Sequence, residues 1–177
     1  ILIIVASYVF YGWWDWRFLF LILFSTVLDF YVGQRIFEQK DNNVKARYWL
    51  WVSLFFNLGL LGFFKYYNFF IDSFIDMFIA LGYEMKSTWT LRIILPVGIS
   101  FYTFQTLSYT IDVYKRKLEP TTDFIAFSAF VSFFPQLVAG PIERATNLLP
   151  QFYKKRTFEY DKAVDGLRQI LWGLFKK

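Results

Sequence analysis

The sequence contains neither cysteine nor histidine, which excludes several kinds of active site from these 177 residues. Without cysteine the chain has no disulfide, no thiolate nucleophile and no cysteine-based metal site. Without histidine it has no paired-histidine metal motif, and it also lacks a Walker-type phosphate loop. No nucleophile and base can be identified from residue spacing. The sequence alone therefore indicates no complete catalytic mechanism.

Charged residues are also absent from long stretches of the chain. Hydrophobic residues make up 56% of the sequence and aromatic residues 24%, which is far from the composition of soluble domains. The uncharged runs 48–64, 93–111 and 124–142 each approach the roughly 20 residues that cross a bilayer. Residues 18–33 are similar apart from Asp29. This pattern predicts an all-α polytopic membrane protein, with about five membrane-embedded helical segments including one that is broken or re-entrant.

Both ends of the sequence are apolar and neither has a boundary signal. The opening ILIIVASYVFYGWW has no basic n-region and no small-residue cleavage site, so we interpret it as the end of a transmembrane helix rather than a signal peptide. The closing LWGLFKK has no helix terminator. We therefore expect residues 1–177 to be a single membrane domain that is truncated at both ends.

Basic residues are concentrated in two stretches, which predicts how the chain is oriented. Residues 35–47 contain four of them, and 115–117 form the second cluster. Because short basic loops face the cytoplasm, both stretches should lie there. Residues 65–92 should then stay outside, with FFIDSFIDMFIALG as an interfacial helix, since its two aspartates make a crossing costly. The tryptophan-rich loop at 13–16 should also be external.

The run at 124–142 is interrupted by proline, glutamine and glycine. About 16 Å of helix precedes Pro135, roughly half the hydrocarbon thickness, and Pro135 should break the helix there. Two interpretations remain open: a proline-kinked span that reaches the outside, or a re-entrant segment that turns back through Gly140 and Pro141. The basic residues beyond the break favour re-entry. Non-helical backbone at membrane depth is tolerated only where it is buried or lines a wet cavity.

The last segment, 157–175, has a different pattern. Its apolar residues share one helical face and its charged residues share the other, with Trp172 near the boundary. This pattern is typical of an interfacial amphipathic helix. We expect the lipid bilayer, and not nucleic acid, to be the partner of such a surface.

Polar residues within apolar segments are costly, so each is a candidate for function. Gln105 and Asp112 lie on one helical face and either line a polar tunnel or bind helices together. Glu143 and Arg144 either form a local ion pair, or Arg144 contacts an anion. Two further candidates are Asp29, which could pair with Arg35, cap a helix or meet substrate, and Asn57, which we expect to form interhelical hydrogen bonds.

Five stretches together resemble the membrane-bound O-acyltransferase (MBOAT) family: ASYVFYGWWD, LGFFKYYNFF, LPVGISFYTFQTLSYTIDVYKRK, FFPQLVAGPIERATNLLPQ and LWGLFKK. The similarity covers essentially the whole chain, and the sequence looks most like the bacterial branch that contains the alginate O-acetyltransferase membrane subunit. The resemblance implies that the chain is the N-terminal part of a larger domain. It also implies a central tunnel that links the cytoplasmic and external sides.

The resemblance implies an enzyme of the bacterial cytoplasmic membrane. Such an enzyme moves an acyl group, expected to be acetyl, from a cytoplasmic thioester donor such as acetyl-CoA or a carrier-protein thioester to hydroxyls of an extracytoplasmic polysaccharide. An extracytoplasmic acyltransferase partner protein is also implied. The family's essential histidine, a general base, lies in the C-terminal part, so no catalytic residue, metal or bound cofactor is expected here.

Only lining or substrate-contacting roles transfer from the family to this chain. They fall on Gln105, Asp112, Pro135, Gln136, Gly140, Pro141, Glu143 and Arg144. The alternative function is a polytopic transporter, since transporters also bind substrates at broken helices. A transporter of this kind commonly has a matching broken helix in a repeated half, and the sequence shows one such segment with no partner.

Overall fold

The computed structural model describes residues 1–81, 95–154 and 157–177, and the chain is helical over these ranges, with no strand. The prediction of an all-α protein is confirmed there, whereas residues 82–92 of the predicted external stretch 65–92 lie outside the described residues. The helices are α1 (Leu2–Trp14), α2 (Leu19–Glu38), α3 (Asn43–Ala80), α4 (Ile99–Tyr114), α5 (Phe124–Val131), α6 (Phe134–Ala139), α7 (Ala145–Tyr153) and α8 (Tyr160–Lys176), with a 3₁₀ turn at Trp16–Phe18.

Two stretches of helix are long and apolar enough to cross a membrane in the described part of the chain. They are Trp16–Glu38, with 23 residues, and Asn43–Ala80, with 38 residues. The other predicted membrane segments form shorter helices, namely α1, α4, and α5 with α6. The structure thus supports a membrane protein with two candidate spans.

The third helix is longer than the sequence pattern predicts. At about 1.5 Å per residue its 38 residues extend about 57 Å, nearly twice the hydrocarbon thickness. Its buried residues, from Ala46 to Leu61, all lie in the N-terminal half. The prediction that a span ends near Phe64 and a separate interfacial helix follows is therefore wrong, because no proline interrupts the helix before Ala80. An interfacial location for its C-terminal half remains a prediction.

The connection between α1 and α2 is a tight polar turn. The backbone N–H of Arg17 donates to Asp15 at 3.0 Å, and the Arg17 guanidinium Nη2 lies 2.6 Å from Asp15 Oδ2. These hydrogen bonds hold the pKa of the Asp15 carboxyl below its usual range. Trp16, in the same turn, is exposed, as an aromatic residue at a membrane interface would be.

The core forms where α2, α3 and α4 pack together, with α5 packed against α2 and α4. Helices α2 and α4 approach closely at Gly33, where an added Cβ would lie 2.7 Å from the Tyr109 ring. Residues 126–131 of α5 are all buried. Helix α5, the part of the broken segment that precedes the break, is therefore held inside the described structure.

The boundaries of α4 and α8 differ slightly from the predicted runs. Helix α4 begins at Ile99 and not at 93, because Gly98 immediately before it has a left-handed backbone (φ 74°), and Pro96 precedes that turn. Helix α8 covers most of the predicted amphipathic segment, and none of its side chains is buried. Its interfacial location remains a prediction.

Candidate functional site

The predicted break in the fifth apolar segment is present. Helix α5 ends at Val131 and α6 begins at Phe134, so Ser132 and Phe133 interrupt the helix. Pro135 lies in the first turn of α6, where the missing N–H of proline costs least. In a continuous helix its ring would clash with the carbonyl of Val131, four residues earlier. Proline chemistry therefore explains why the break falls here.

Gln105 on α4 compensates for this break. Its Nε2 donates a hydrogen bond of 2.7 Å to the carbonyl oxygen of Phe130, in the last turn of α5. A continuous helix would satisfy that carbonyl with the N–H of Phe134, but the break removes this partner. Gln105 is buried, so an unpaired carbonyl at this position would be costly. The side chain thus fixes the end of α5 against α4.

The turn after α6 is held by a second glutamine. Gln136 Nε2 donates to the carbonyl oxygen of Pro141 at 2.8 Å. Gly140 between them is tightly enclosed, because an added Cβ would lie 2.8 Å from the Cα of Gln136. Any side chain larger than that of glycine at position 140 would therefore clash with the backbone of Gln136.

The predicted ion pair between Glu143 and Arg144 does not form among the described residues, where the three ion pairs involve other side chains. Glu143 instead accepts a long hydrogen bond of 3.4 Å from Asn147 Nδ2. Arg144 is exposed at the start of α7. The alternative interpretation, an anion contact at Arg144, remains a prediction.

The segment that contains α5, α6 and α7 begins and ends at the same place in the structure. The hydroxyl groups of Thr121 and Tyr153 share a hydrogen bond, although these residues lie on opposite sides of the break. The backbone N–H of Thr121 also donates to the hydroxyl of Tyr109, in the C-terminal half of α4. In contrast, Leu137 of α6 lies against Gly98, at the N-terminal end of α4. The segment therefore runs along α4 towards its start and then comes back.

Four buried polar atoms have no hydrogen-bond partner among the described residues. They are Asp112 Oδ2 and the hydroxyl oxygens of Ser7, Tyr8 and Ser128. Asp112 is one of the predicted site residues, whereas the other three, on α1 and α5, were not predicted. Buried polar atoms without partners are uncommon in native proteins, so each requires a water, an ion or a functional role.

A second polar group, here called the Asp29 cluster, lies where α2, α3 and α4 meet. Asp29 Oδ1 accepts from the Ser53 hydroxyl at 2.5 Å, and Asp29 Oδ2 accepts from Asn57 Nδ2 at 2.8 Å. The Ser25 hydroxyl donates to Asn57 Oδ1 at 2.7 Å. The cluster comprises Ser25, Asp29, Ser53, Asn57, Thr106 and Thr110, all buried.

The Asp29 cluster resolves two of the predictions. Asn57 forms interhelical hydrogen bonds, as predicted. The suggested pairing of Asp29 with Arg35 is wrong, because Arg35 instead contacts Glu38 and Tyr31. The serines and threonines were not predicted, yet a signal existed: Ser25 and Asp29, Ser53 and Asn57, and Thr106 and Thr110 are each spaced by four residues, which places each pair on one helical face.

The eight predicted site residues are only partly brought together. Pro135, Gln136, Gly140 and Pro141 form one continuous turn, and Gln105 contacts the helix that precedes it. Asp112 lies two helical turns further along α4. None of the eight lines either of the two large cavities described in the structure, of about 730 and 660 Å³. Their role in lining a tunnel remains a prediction.

The known proteins that are similar to this chain are all named as O-acetylases or O-acetyltransferases. The chain is 41% identical over 177 residues to the probable alginate O-acetylase AlgI of Pseudomonas aeruginosa, an alignment that covers all of this chain and 34% of that protein. It is 40% identical to the corresponding protein of Azotobacter vinelandii, again over the whole chain and 35% of the relative. The peptidoglycan O-acetyltransferase of Helicobacter pylori is 36% identical over 201 residues, covering 99% of this chain and 37% of that protein.

The chain thus spans about a third of the length of the curated relatives it matches. No protein-family model matches it. No solved structure matches it either.

Proposed function

The chain belongs to the membrane-bound O-acyltransferase family, and on that premise we propose that the intact protein is an O-acetyltransferase of an extracytoplasmic glycan. One observation carries the proposal: the identity to named O-acetyltransferases is 36–41% and extends over essentially the whole chain. Those relatives act on alginate or peptidoglycan by name. The transporter alternative has no comparable support.

The proposed reaction passes an acetyl group across the membrane. A glycan hydroxyl oxygen attacks the thioester carbonyl carbon, the carbon–sulfur bond breaks, and the proton of the hydroxyl leaves to a general base. The donor is acetyl-CoA or a carrier-protein thioester on the cytoplasmic side. The family resemblance implies that this base is a histidine, and since these 177 residues contain none, we assign the general base to another part of the intact protein. The resemblance also implies an extracytoplasmic acyltransferase partner.

The intact protein is proposed to be a multi-pass protein of the bacterial cytoplasmic membrane, with both basic clusters inside. One observation supports the membrane spans, and a second supports placing both basic clusters on the same side. Helices α2 and α3 are long and apolar enough to span. The two clusters also meet at one end of the helices, where Arg116 Nη2 donates to the carbonyl oxygen of Lys40 at 2.6 Å.

Within this framework, residues 121–153 are proposed to re-enter the membrane and line the acyl passage. The return of the chain from Thr121 to Tyr153 supports re-entry over a kinked span. The unpartnered polar atoms of Ser7, Tyr8, Asp112 and Ser128 support a wet space nearby, because polar atoms in a dry interior would be paired. The contacts of Gln105 and Gln136 would then fix the shape of the wall.

The function is tested by deleting the gene in its native host and quantifying ester-linked acetate on the exported polysaccharide and on peptidoglycan. The proposal expects one of the two polymers to lose its acetate, and a plasmid copy of the intact gene should restore it. Unchanged acetate on both polymers would overturn the proposal.

A further inference from the structure

A cavity of about 730 Å³ lies where the end of α2, the start of α3 and the end of α4 meet. Four basic side chains line it, those of Lys40, Arg47, Lys115 and Arg116, together with one carboxylate, Glu119. We call this cavity the basic groove. Its lining combines positive charge with apolar surface, since Ile36, Phe37 and Val44 also contribute.

The four cations of the basic groove outnumber its one lining carboxylate, Glu119. No carboxylate forms an ion pair with any of the four among the residues that the structure describes. Arg116 donates to the carbonyl oxygen of Lys40, and the Lys40 ammonium lies 5.3 Å from the Phe37 ring centroid. Several like charges held around one open cavity favour an anionic ligand.

Arg116 adopts a backbone conformation that its side chain makes unfavourable. Its φ is 58°, in the left-handed region, and it follows Lys115, the C-cap residue of α4. The N–H groups of Arg116 and Lys117 donate to the carbonyls of Val113 and Asp112, which is the hydrogen-bond pattern of a Schellman cap. Glycine is the usual residue at this position, because it avoids the steric cost of a side chain. Termination of α4 alone would favour glycine at position 116, so the presence of arginine suggests that its side chain has another role.

We propose that the basic groove binds the phosphate headgroup of an anionic phospholipid from the adjacent leaflet. A forked guanidinium suits phosphate, and both Arg47 and Arg116 line the groove. The groove lies at the ends of the two candidate spans, where a headgroup is within reach. Val44 and Tyr48 are strongly exposed beside it, as side chains that contact lipid would be. These features favour a lipid over a soluble phosphate.

The test compares two double variants of the intact protein that remove the same charge. Arg47→Gln with Lys115→Gln removes two cations of the groove. Lys45→Gln with Lys117→Gln removes two cations that lie within two residues of Arg47 and Lys115 in the sequence but do not line the groove. Native mass spectrometry then measures binding of phosphatidylglycerol to each purified protein. We expect affinity to fall about tenfold or more in the groove variant and to change less than about twofold in the control.

Equal losses in both variants would overturn the proposal, because they would mean that the cations only attract the bilayer generally or set orientation. Wild-type affinity in the groove variant would overturn it as well. Displacement of phosphatidylglycerol by coenzyme A, but not by phosphatidylcholine, would assign the groove to a soluble phosphate ligand and also contradict it.

Arg116→Gly separates binding from folding. Glycine relieves the left-handed strain, so the thermal unfolding temperature should be unchanged or raised, whereas phosphatidylglycerol affinity should fall. Loss of affinity with a wild-type or higher unfolding temperature would support the proposal. Wild-type affinity in Arg116→Gly would contradict the role given to this guanidinium.

Discussion

At the residue scale, the Asp29 cluster is a group of buried polar contacts with no cationic member. The carboxylate of Asp29 is fully buried, and both of its oxygens accept from neutral donors, Ser53 and Asn57. In a low-dielectric interior such a network is favourable only while every member has a partner. The cluster therefore specifies how α2, α3 and α4 meet, more than it adds to stability.

Replacing Asn57 alone should lower the stability of the protein more than replacing both Asn57 and Asp29. Asn57→Leu leaves Asp29 Oδ2 without its donor, so we expect it to lower the free energy of unfolding by about 1–3 kcal/mol. The double variant Asp29→Leu with Asn57→Leu removes the buried carboxyl as well and should recover part of that loss. Thermal unfolding of the intact protein in detergent measures both.

The matched control is Asn147→Leu, an exposed asparagine on α7 whose side-chain amide, within the described residues, donates one long hydrogen bond of 3.4 Å to Glu143. It should change stability by less than about 0.5 kcal/mol. If Asn57→Leu behaved like this control, the Asp29 cluster would not hold the three helices together.

Gln105 and Asp112 should respond differently to substitution, although both were predicted from one polar helical face. Gln105→Leu leaves the Phe130 carbonyl unpaired, so folded protein and acetyl transfer should fall together. Asp112→Asn alters a carboxylate whose Oδ2 has no partner among the described residues, so acetyl transfer should fall while folded protein is retained.

The measurement for both variants is ester-linked acetate on the exported glycan, divided by the amount of detergent-stable protein in the membrane. A proportional loss in Asp112→Asn would assign this residue to packing and remove it from the proposed passage.

Sequence analysis identified the polar residue type that is rare in apolar helices, asparagine, and did not identify the common ones, serine and threonine. An asparagine inside an apolar run is rare, which is why Asn57 was predicted to form interhelical hydrogen bonds, and it does so with Asp29. Serine and threonine in apolar helices are frequent and often bond to their own backbone, as Thr110 also does. The four-residue spacing that links Ser53 to Asn57 and Thr106 to Thr110 is therefore too common in apolar helices to identify a cluster by itself. The partner of Asp29 depends on which helices pack together, which no local pattern contains.

At the element scale, the decisive feature is a helix that ends and restarts. Pro135 predicted the break, because its steric effect is local. The short helices α6 and α7 were not predicted, since six and nine residues are too few to show a reliable periodicity. The continuation of α3 to Ala80 was not predicted, because the charged residues after Phe64 suggested the end of a membrane span. Charge does not end a helix, and no proline interrupts α3 before Ala80.

The turn after α6 should be intolerant of a single methyl group. Gly140→Ala places a Cβ about 2.8 Å from the Cα of Gln136, so the backbone must shift and stability should fall by about 1–3 kcal/mol. Gly59→Ala is the matched control, because an added Cβ on this exposed position of α3 meets nothing within 4 Å. It should be neutral or stabilise the protein by up to about 1 kcal/mol.

Both glycine variants are compared by thermal unfolding in one detergent. A Gly140→Ala protein as stable as Gly59→Ala would mean that the turn has room to relax, and that its shape is not determined by the contact with Gln136.

At the scale of the whole molecule, a large apolar surface is exposed in the described structure. Phenylalanines along the C-terminal half of α3 and the apolar face of α8 lie open. A soluble protein rarely exposes so much contiguous apolar surface, whereas a bilayer or further membrane helices would cover it. The membrane class was predictable from composition alone, because hydropathy is a property summed over many residues. The number of crossings was not, since it depends on where each helix lies relative to the lipid.

The claim that residues 121–153 enter and leave the membrane at one face is tested most directly by cysteine labelling of the intact protein in whole cells. Single cysteines replace Lys117 before the segment, Lys154 after it, and Trp16 in the predicted external turn. An impermeant maleimide should label position 16 in whole cells and should label positions 117 and 154 only after the cells are opened. Labelling of position 154 in whole cells while position 117 stays protected would mean that the chain crosses the membrane between them, and re-entry would be contradicted.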